Sequence, residues 1–251
     1  MEGDGSVGIG HGVAKLMQLQ HICGARGANE TDAEMKRAIK PGDAAAMIPD
    51  GATLLIGGFM GVGSPHRMID ALVAAGTSNL TIVNNDAGKP DYGIGKLIAA
   101  GRVSRLIASH IGLNPICQKM MLDGEMEVDL VPQGTLVERI RAAGVGLGGV
   151  LTATGIGTRV EAGKQVVEVD GKPYLLETPI AGDFALIGAS KSDYTGNLEY
   201  SLTAHNFNPI MALAATTVIA EPDLIVPIGV IAPDAVKTPG VIVDHILERP
   251  H

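Results

Sequence analysis

Residues 50–65 read DGATLLIGGFMGVGSP. Asp50-Gly51 is a turn pair, and Thr53, Leu54, Leu55 and Ile56 make an apolar run short enough for a buried strand. Glycines at 57, 58, 61 and 63 follow, with Phe59 among them, and Pro65 opens a helical pattern over 65–75 that Gly76 closes. Strand, glycine turn and helix in succession form one α/β unit, a geometry that can set bare backbone N–H groups beside a ligand. The glycines admit two readings: a tight strand-to-helix turn and nothing more, or a cradle for a cofactor or a developing anion. A nucleotide-binding P-loop is excluded, because no Gly-Lys-Ser/Thr follows. A dinucleotide fingerprint fits poorly. The G-x-G-x-x-G order is missing, and Asp86 lies too far along for the acid expected about 20 residues on.

Outward from this stretch the same alternation repeats. Apolar strand patterns at 80–83, 103–109 and 128–131 are followed by helical patterns at 93–100, 114–122 and 135–143, and a short helix at 43–48 leads into the first strand. The alternation predicts an α/β fold: an open, mainly parallel sheet with helices on both faces. From Gly144 the chain becomes glycine-rich. Val166 to Val169, the turn pair Asp170-Gly171 and Tyr174 to Glu177 then predict a β-hairpin excursion from the sheet. A strand at 183–187, a loop at 190–197, a helix at 206–215 and a strand at 217–220 complete the pattern. The tail over 224–246 holds apolar runs split by Pro227, Pro233 and Pro239. Residues 1–38 read as a disordered N-terminal extension, with a short helical pattern at 14–22, a capping box from Thr31 and an incidental Cys23, ahead of a single domain over 39–251.

Composition narrows the function. The core is aliphatic, since 46% of residues are hydrophobic while Phe and Tyr number only 3 and 4 and Trp is absent. A formal charge of −8 without a basic block argues against nucleic acid. Cys23 and Cys117 have neither metal-ligand nor disulfide-framework spacing. No apolar run reaches about 18 residues, so no membrane span is expected, and with no secretory signal in view a cytoplasmic protein is the simplest expectation.

Among polar side chains, His66, His110, His205 and His245 are isolated, with no His or Cys pair at metal spacing, so no metal site is expected. Ser64 before Pro65 reads as a helix N-cap, and no nucleophile elbow is present. Gln133 stands at the carboxyl end of one predicted strand, Asn84 and Asn85 at the end of another, where an open α/β sheet keeps its ligand. Asp86 can orient these amides or simply make an Asx turn. Each of these amides can also serve only as a cap. Together they offer hydrogen-bond donors without a convincing nucleophile, which reads as half an active site.

Residues 50–65 resemble the first signature of the class I coenzyme A transferases: Asp-Gly, two residues, three aliphatics, Gly-Gly-Phe, three residues, Gly, any residue, Pro. The segment 127–141 around Val131-Pro132-Gln133-Gly134-Thr135-Leu136, and Asn84-Asn85, Ala108-Ser109-His110-Ile111-Gly112 and Asn206-Phe207-Asn208-Pro209, are similar to the family as well, over roughly residues 40 to 248. The resemblance is strongest to alpha subunits that act on acetate and acetoacetate. It implies transfer of CoA between an acyl-CoA and a carboxylate by a ping-pong route, with CoA as substrate and no tightly bound cofactor. A beta subunit would supply the attacking glutamate from a Ser-Glu-Asn-Gly setting that this chain lacks, in an α2β2 or α4β4 assembly. Glu138 and Glu177 are poor nucleophile candidates on that view. Gln133 would be the oxyanion donor, and Gly57, Gly58, Phe59, Gly61, Gly63, Asn84 and Asn85 would line the CoA and acyl site. Asp86 stands where some members have alanine, which bears on acyl specificity. Two other functions remain open on this scaffold: a ligand-binding sensor of phosphorylated metabolites, and a sugar-phosphate isomerase with its own acid–base residue.

Overall fold

The computed structural model describes residues 35–249, so the readings made for the first 34 residues lie outside it. The chain builds a main sheet from β1 (Thr53–Ile56), β2 (Leu80–Val83), β3 (Val103–Ala108), β4 (Glu127–Leu130), β8 (Gly182–Asp193), β9 (Leu198–Glu199), β10 (Ala215–Val226) and β11 (His245–Ile246). The order is β11-β10-β8-β1-β2-β3-β4, parallel throughout, with β9 antiparallel on β8. From β1 the chain steps outward to β4 and later returns to the other flank of β1 with β8. The order therefore reverses between β1 and β8, and the crevice beyond the carboxyl ends of strands at such a switch point is where open α/β sheets bind ligands.

Two aliphatic cores sandwich this sheet. Along β1, Leu54 and Ile56 enter one core and Leu55 the other, which is the two-residue period of a strand buried on both faces. The first core is covered by α1 (Pro41–Ala45), α2 (His66–Ala75), α3 (Gly95–Ala99) and α4 (Pro115–Leu122). The second is covered by α5 (Gln133–Gly144) and α6 (Asn208–Leu213). Met68, Ile69 and Leu72 form the fully buried stripe of α2, Val73 is half-buried, and Gly76 ends the helix at φ +80°. The α/β architecture with helices on both faces is the one the alternation predicts.

The excursion forms a separate three-stranded antiparallel sheet, β5 (Val150–Thr152), β7 (Lys172–Glu177) and β6 (Val166–Val169), in that order. Asp170 and Gly171 take φ of +50° and +72°, the left-handed pair a tight hairpin requires. β5 lies within the stretch read only as turns. Glu177, 2% exposed, ties this sheet to α5 through Arg139 and to Lys164.

Two expectations fail in the second half. Residues 190–193, read as loop, continue β8, and the strand read as 217–220 extends as β10 over twelve residues. The polar run Ser190-Lys191-Ser192-Asp193 carries no apolar alternation, yet it pairs in register with residues 223–226. Pro222 sits inside β10 because β11 covers only Ile219 and Ala220. Beyond them, among the described residues, β10 is an edge, where a missing N–H leaves no ladder bond unmade. The helix read as 206–215 is shorter, Asn208–Leu213.

Candidate active site

The loop between β1 and α2 carries three positive-φ glycines, Gly58, Gly61 and Gly63, and the left-handed Met60 at φ +51°. The side of the glycines where a Cβ would project is filled by the chain itself. A Cβ on Gly57 would lie 1.6 Å from Asn208 Oδ1, one on Gly58 2.1 Å from Ser64 Oγ, one on Gly61 2.2 Å from the Tyr92 ring and one on Gly63 2.5 Å from Ala204 Cβ. Asn208, fully buried, is the organising side chain. Its Oδ1 accepts from Gly188 N–H at 3.1 Å, and its Nδ2 donates to Gly63 O at 2.9 Å and to Ala204 O at 2.7 Å. Asn208 thereby joins the glycine loop, β8 and the entry to α6.

Most loop N–H groups are used within the chain as well. Gly57 N–H donates to Leu186 O, Phe59 and Val62 bond each other, and Ser64 N–H donates to Gly61 O. Met60 N–H donates to Asp86 Oδ2 at 2.8 Å. Among the described residues, this narrows the bare N–H groups of the cradle reading to Gly58, Gly61 and Gly63. Ser64 is not the N-cap of α2: its hydroxyl donates to Gly57 O at 3.0 Å, and Pro65 holds the cap position. The first turn is capped from far away by Glu221, whose carboxylate accepts Arg67 N–H at 3.0 Å and Met68 N–H at 2.8 Å. No local sequence signal can show that pairing.

Beside the loop, at the carboxyl ends of β2, β3 and β4, lies a cleft of about 480 Å³. Its polar wall is Gln133, Asn85, Asp86, Ser109 and His110, and its apolar wall is Phe59, Met60 and Leu113. Gln133 is the first residue of α5 and sits exposed at the mouth. Its Nε2 donates to Asn85 Oδ1 at 2.7 Å. Asn85 is 1% exposed and held in turn by Ser109, whose hydroxyl bonds Asn85 O at 2.6 Å and Oδ1 at 3.2 Å. Among the described residues, the Nδ2 of Asn85 is buried without a partner. Asn85 and Gln133, 48 residues apart in the chain, therefore form one amide pair.

Asn84 faces inward. Its Nδ2 donates to Ile56 O at 2.8 Å and its Oδ1 accepts Asp86 N–H at 3.1 Å, so its amide stitches the ends of β1 and β2. Asp86, 4% exposed, completes the stitching by accepting Gly88 N–H at 2.8 Å in an Asx turn alongside its bond to Met60. Of the residues singled out in the sequence, the cleft thus gathers Gln133, Asn85, Asp86, His110 and Phe59, while Asn84, Gly57 and Gly58 stand behind it as scaffold. A second cleft, about 340 Å³, opens on the other side of the loop past Val62, Gly63 and Ser64, between Tyr92 and Glu221. The residue that reading the sequence missed in its role is Asn208. Its Asn-Phe-Asn-Pro setting marks it as a helix entry and as one of the family-like segments, without giving the side chain a role. Cys117 is buried on the opposite core, where desolvation pushes its thiol up to about 11, far from a usable thiolate.

The chain is 53% identical over 205 residues to the acetate CoA-transferase subunit alpha of Escherichia coli K12, covering 82% of this chain and 93% of that protein. It is 50% identical over 201 residues to the acetoacetyl-CoA:acetate/butyrate CoA transferase alpha subunit of Clostridium acetobutylicum, covering 80% and 92%. A solved acyl-CoA transferase from Escherichia coli O157:H7 shares the fold at 24% identity and a TM-score of 0.78, over 89% of this chain and 49% of that one. None of these three is a metabolite sensor or an isomerase. With the coenzyme A transferase profile matching residues 39–249, the chain belongs to the coenzyme A transferase family.

Proposed function

We propose that this chain is the alpha subunit of a short-chain acyl-CoA:carboxylate CoA-transferase, which exchanges CoA among acetate, acetoacetate and butyrate together with a beta subunit in the cytoplasm. The observation that carries the proposal is the anchored amide pair, Gln133 on Asn85, at the mouth of a small cleft at the carboxyl end of the sheet. An amide nitrogen has two N–H donors. One from Gln133 goes to Asn85 and the other is left for an incoming oxygen. When a carboxylate attacks a thioester, charge develops on the carbonyl oxygen, and a preoriented donor there is worth roughly 3–4 kcal/mol.

The nucleophile comes from the partner. Ionised carboxylates attack without losing a proton, so no His–Asp relay is needed on either chain, and no tightly bound cofactor is required. Coenzyme A enters and leaves as substrate. On this proposal the beta subunit's glutamate forms first an acyl anhydride and then a glutamyl-CoA thioester, closing the cleft from the side that this chain leaves open. Phe59 and Met60 supply an apolar wall suited to a short alkyl chain. An assembly of α2β2 or α4β4 satisfies this half-site logic.

The test is reconstitution. The purified chain alone is expected to show no CoA transfer from acetyl-CoA to butyrate or acetoacetate, and to gain it when co-expressed with its beta subunit. Full activity of the isolated chain would overturn the half-site assignment.

A further inference from the structure

Asp86 is built into the cleft in a way that the transfer chemistry does not require. Its two carboxylate oxygens are both held, Oδ2 by Met60 N–H and Oδ1 by Gly88 N–H, each at 2.8 Å, so the carboxylate cannot swing away. It follows directly on Asn85, the residue that holds Gln133, and it contributes to the lining of the same cleft. An acyl group whose carbonyl rests on Gln133 therefore shares its cleft with Asp86. Around it the lining is Phe59, Met60, Leu113 and Ser109; among the described residues His110 is the one lining side chain able to carry positive charge, and neither lysine nor arginine lines this cleft.

We infer that Asp86 is the specificity-determining residue that restricts the cleft to monocarboxylate acyl groups and turns away dicarboxylates. A second carboxylate at the far end of a succinyl or glutaryl chain would be carried out of water, past an apolar wall, and set beside a fixed like charge with neither lysine nor arginine among the described lining residues to answer it. Removing an anion from water without a partner is costly, and a nearby like charge adds to that cost. An acetyl or butyryl chain meets no such penalty and gains the contact with Phe59 and Met60. The clamp on Met60 sharpens the effect, because it keeps the apolar wall and the charge in one rigid unit. The inference rests on the assignment of the thioester oxygen to Gln133.

The experiment is a competition in the reconstituted alpha–beta enzyme at pH 8, where an ordinary histidine is neutral, with acetyl-CoA as donor and butyrate or succinate as acceptor. The readout is the ratio of kcat/KM for succinate to that for butyrate. Wild type is expected to favour butyrate by about 100-fold or more. Asp86→Asn removes the charge but also loses one of the two backbone bonds, because an amide nitrogen cannot accept, which lowers turnover with both acids alike. The ratio is insensitive to that loss and should rise at least tenfold. Leu113→Arg leaves the Asp86 clamp intact and places a cation in the cleft; it should raise the ratio as well. Equal use of both acids by wild type would overturn the inference while leaving CoA transfer intact, as would an unchanged ratio in both variants. Absence of transfer to any acid would instead reject the functional assignment on which it stands.

Discussion

The two sides of the glycine loop do different jobs. On one side, Asn208, Ser64, Tyr92 and Ala204 fill the space that four side chains would need, leaving the smaller cleft of about 340 Å³ past Val62, Gly63 and Ser64. On the other side Phe59 and Met60 face a cleft whose opposite wall is the Gln133–Asn85 pair. Glycines here allow backbone to approach backbone, and the chemistry falls to amides contributed by other strands. The lesson is that a glycine-rich loop at a switch point can be a structural joint that supports a site next to it.

Substitutions on the closed side should act on stability and those on the open side on turnover. The largest effect is expected from Gly57→Ala. The new methyl collides with Asn208 Oδ1, so either the methyl is overpacked or Asn208 loses its three bonds, at a cost of roughly 3–5 kcal/mol. Thermal unfolding of the assembled enzyme should show a large drop in Tm, and Gly57→Ala with Asn208→Ala should be less damaging than the two added together. A wild-type Tm for Gly57→Ala would break the distinction at its centre.

Next in size is Gln133→Ala. Here kcat should fall about 100- to 1000-fold, as for loss of one oxyanion donor, while Tm and subunit assembly stay near wild type because Gln133 is exposed at the cleft mouth. An unchanged kcat would remove Gln133 from the chemistry. Asn208→Ala alone should show the converse pattern. It strands Gly188 N–H and the carbonyls of Gly63 and Ala204, costing about 2–3 kcal/mol, and at temperatures where the protein remains folded it should spare more of kcat than Gln133→Ala does.

The smallest effect concerns acid stability at the end of β8. Burial alone would raise the carboxyl of Asp193, but hydrogen bonds from the side chains and backbone of Asn197 and Thr195 outweigh it and hold the group below its ordinary value. A carboxylate depressed in the folded state stabilises above its unfolded pKa of about 4, and that contribution is lost as pH falls through the folded value. Asp193→Asn should therefore lower Tm at pH 7 and flatten the decline in Tm between pH 5 and pH 3. Parallel Tm curves for the two proteins would show that Asp193 is not part of the acid response.

Legibility differed between the two halves of the chain for a physical reason. Strands β1 and β2 are short and apolar, and β3 and β4, polar in part, are bounded by Gly101 and Pro132, so local pattern locates all four within a residue or two. In the half that returns to the sheet, the ends of β8 and β10 are polar and interrupted by Pro222, and each is a strand because the other lies beside it in register. Ser64 was misread for the same reason. Its position before Pro65 has the form of an N-cap, yet the carboxylate that serves α2 arrives from Glu221, 154 residues beyond Arg67.

Read alone, the amino-acid order determined the α/β alternation, the glycine joint after β1 and the placement of Gln133 and Asn85 at strand ends, because strand and helix periods and turn chemistry are properties of neighbouring residues. Tertiary structure decided that Asn85 grips Gln133, that Asn84 faces inward, that Asn208 fills the hollow of the glycines and that Asp86 holds Met60. Each of those is a contact between segments far apart in the chain. Its existence depends on where two independent elements come to rest, and no local propensity encodes that.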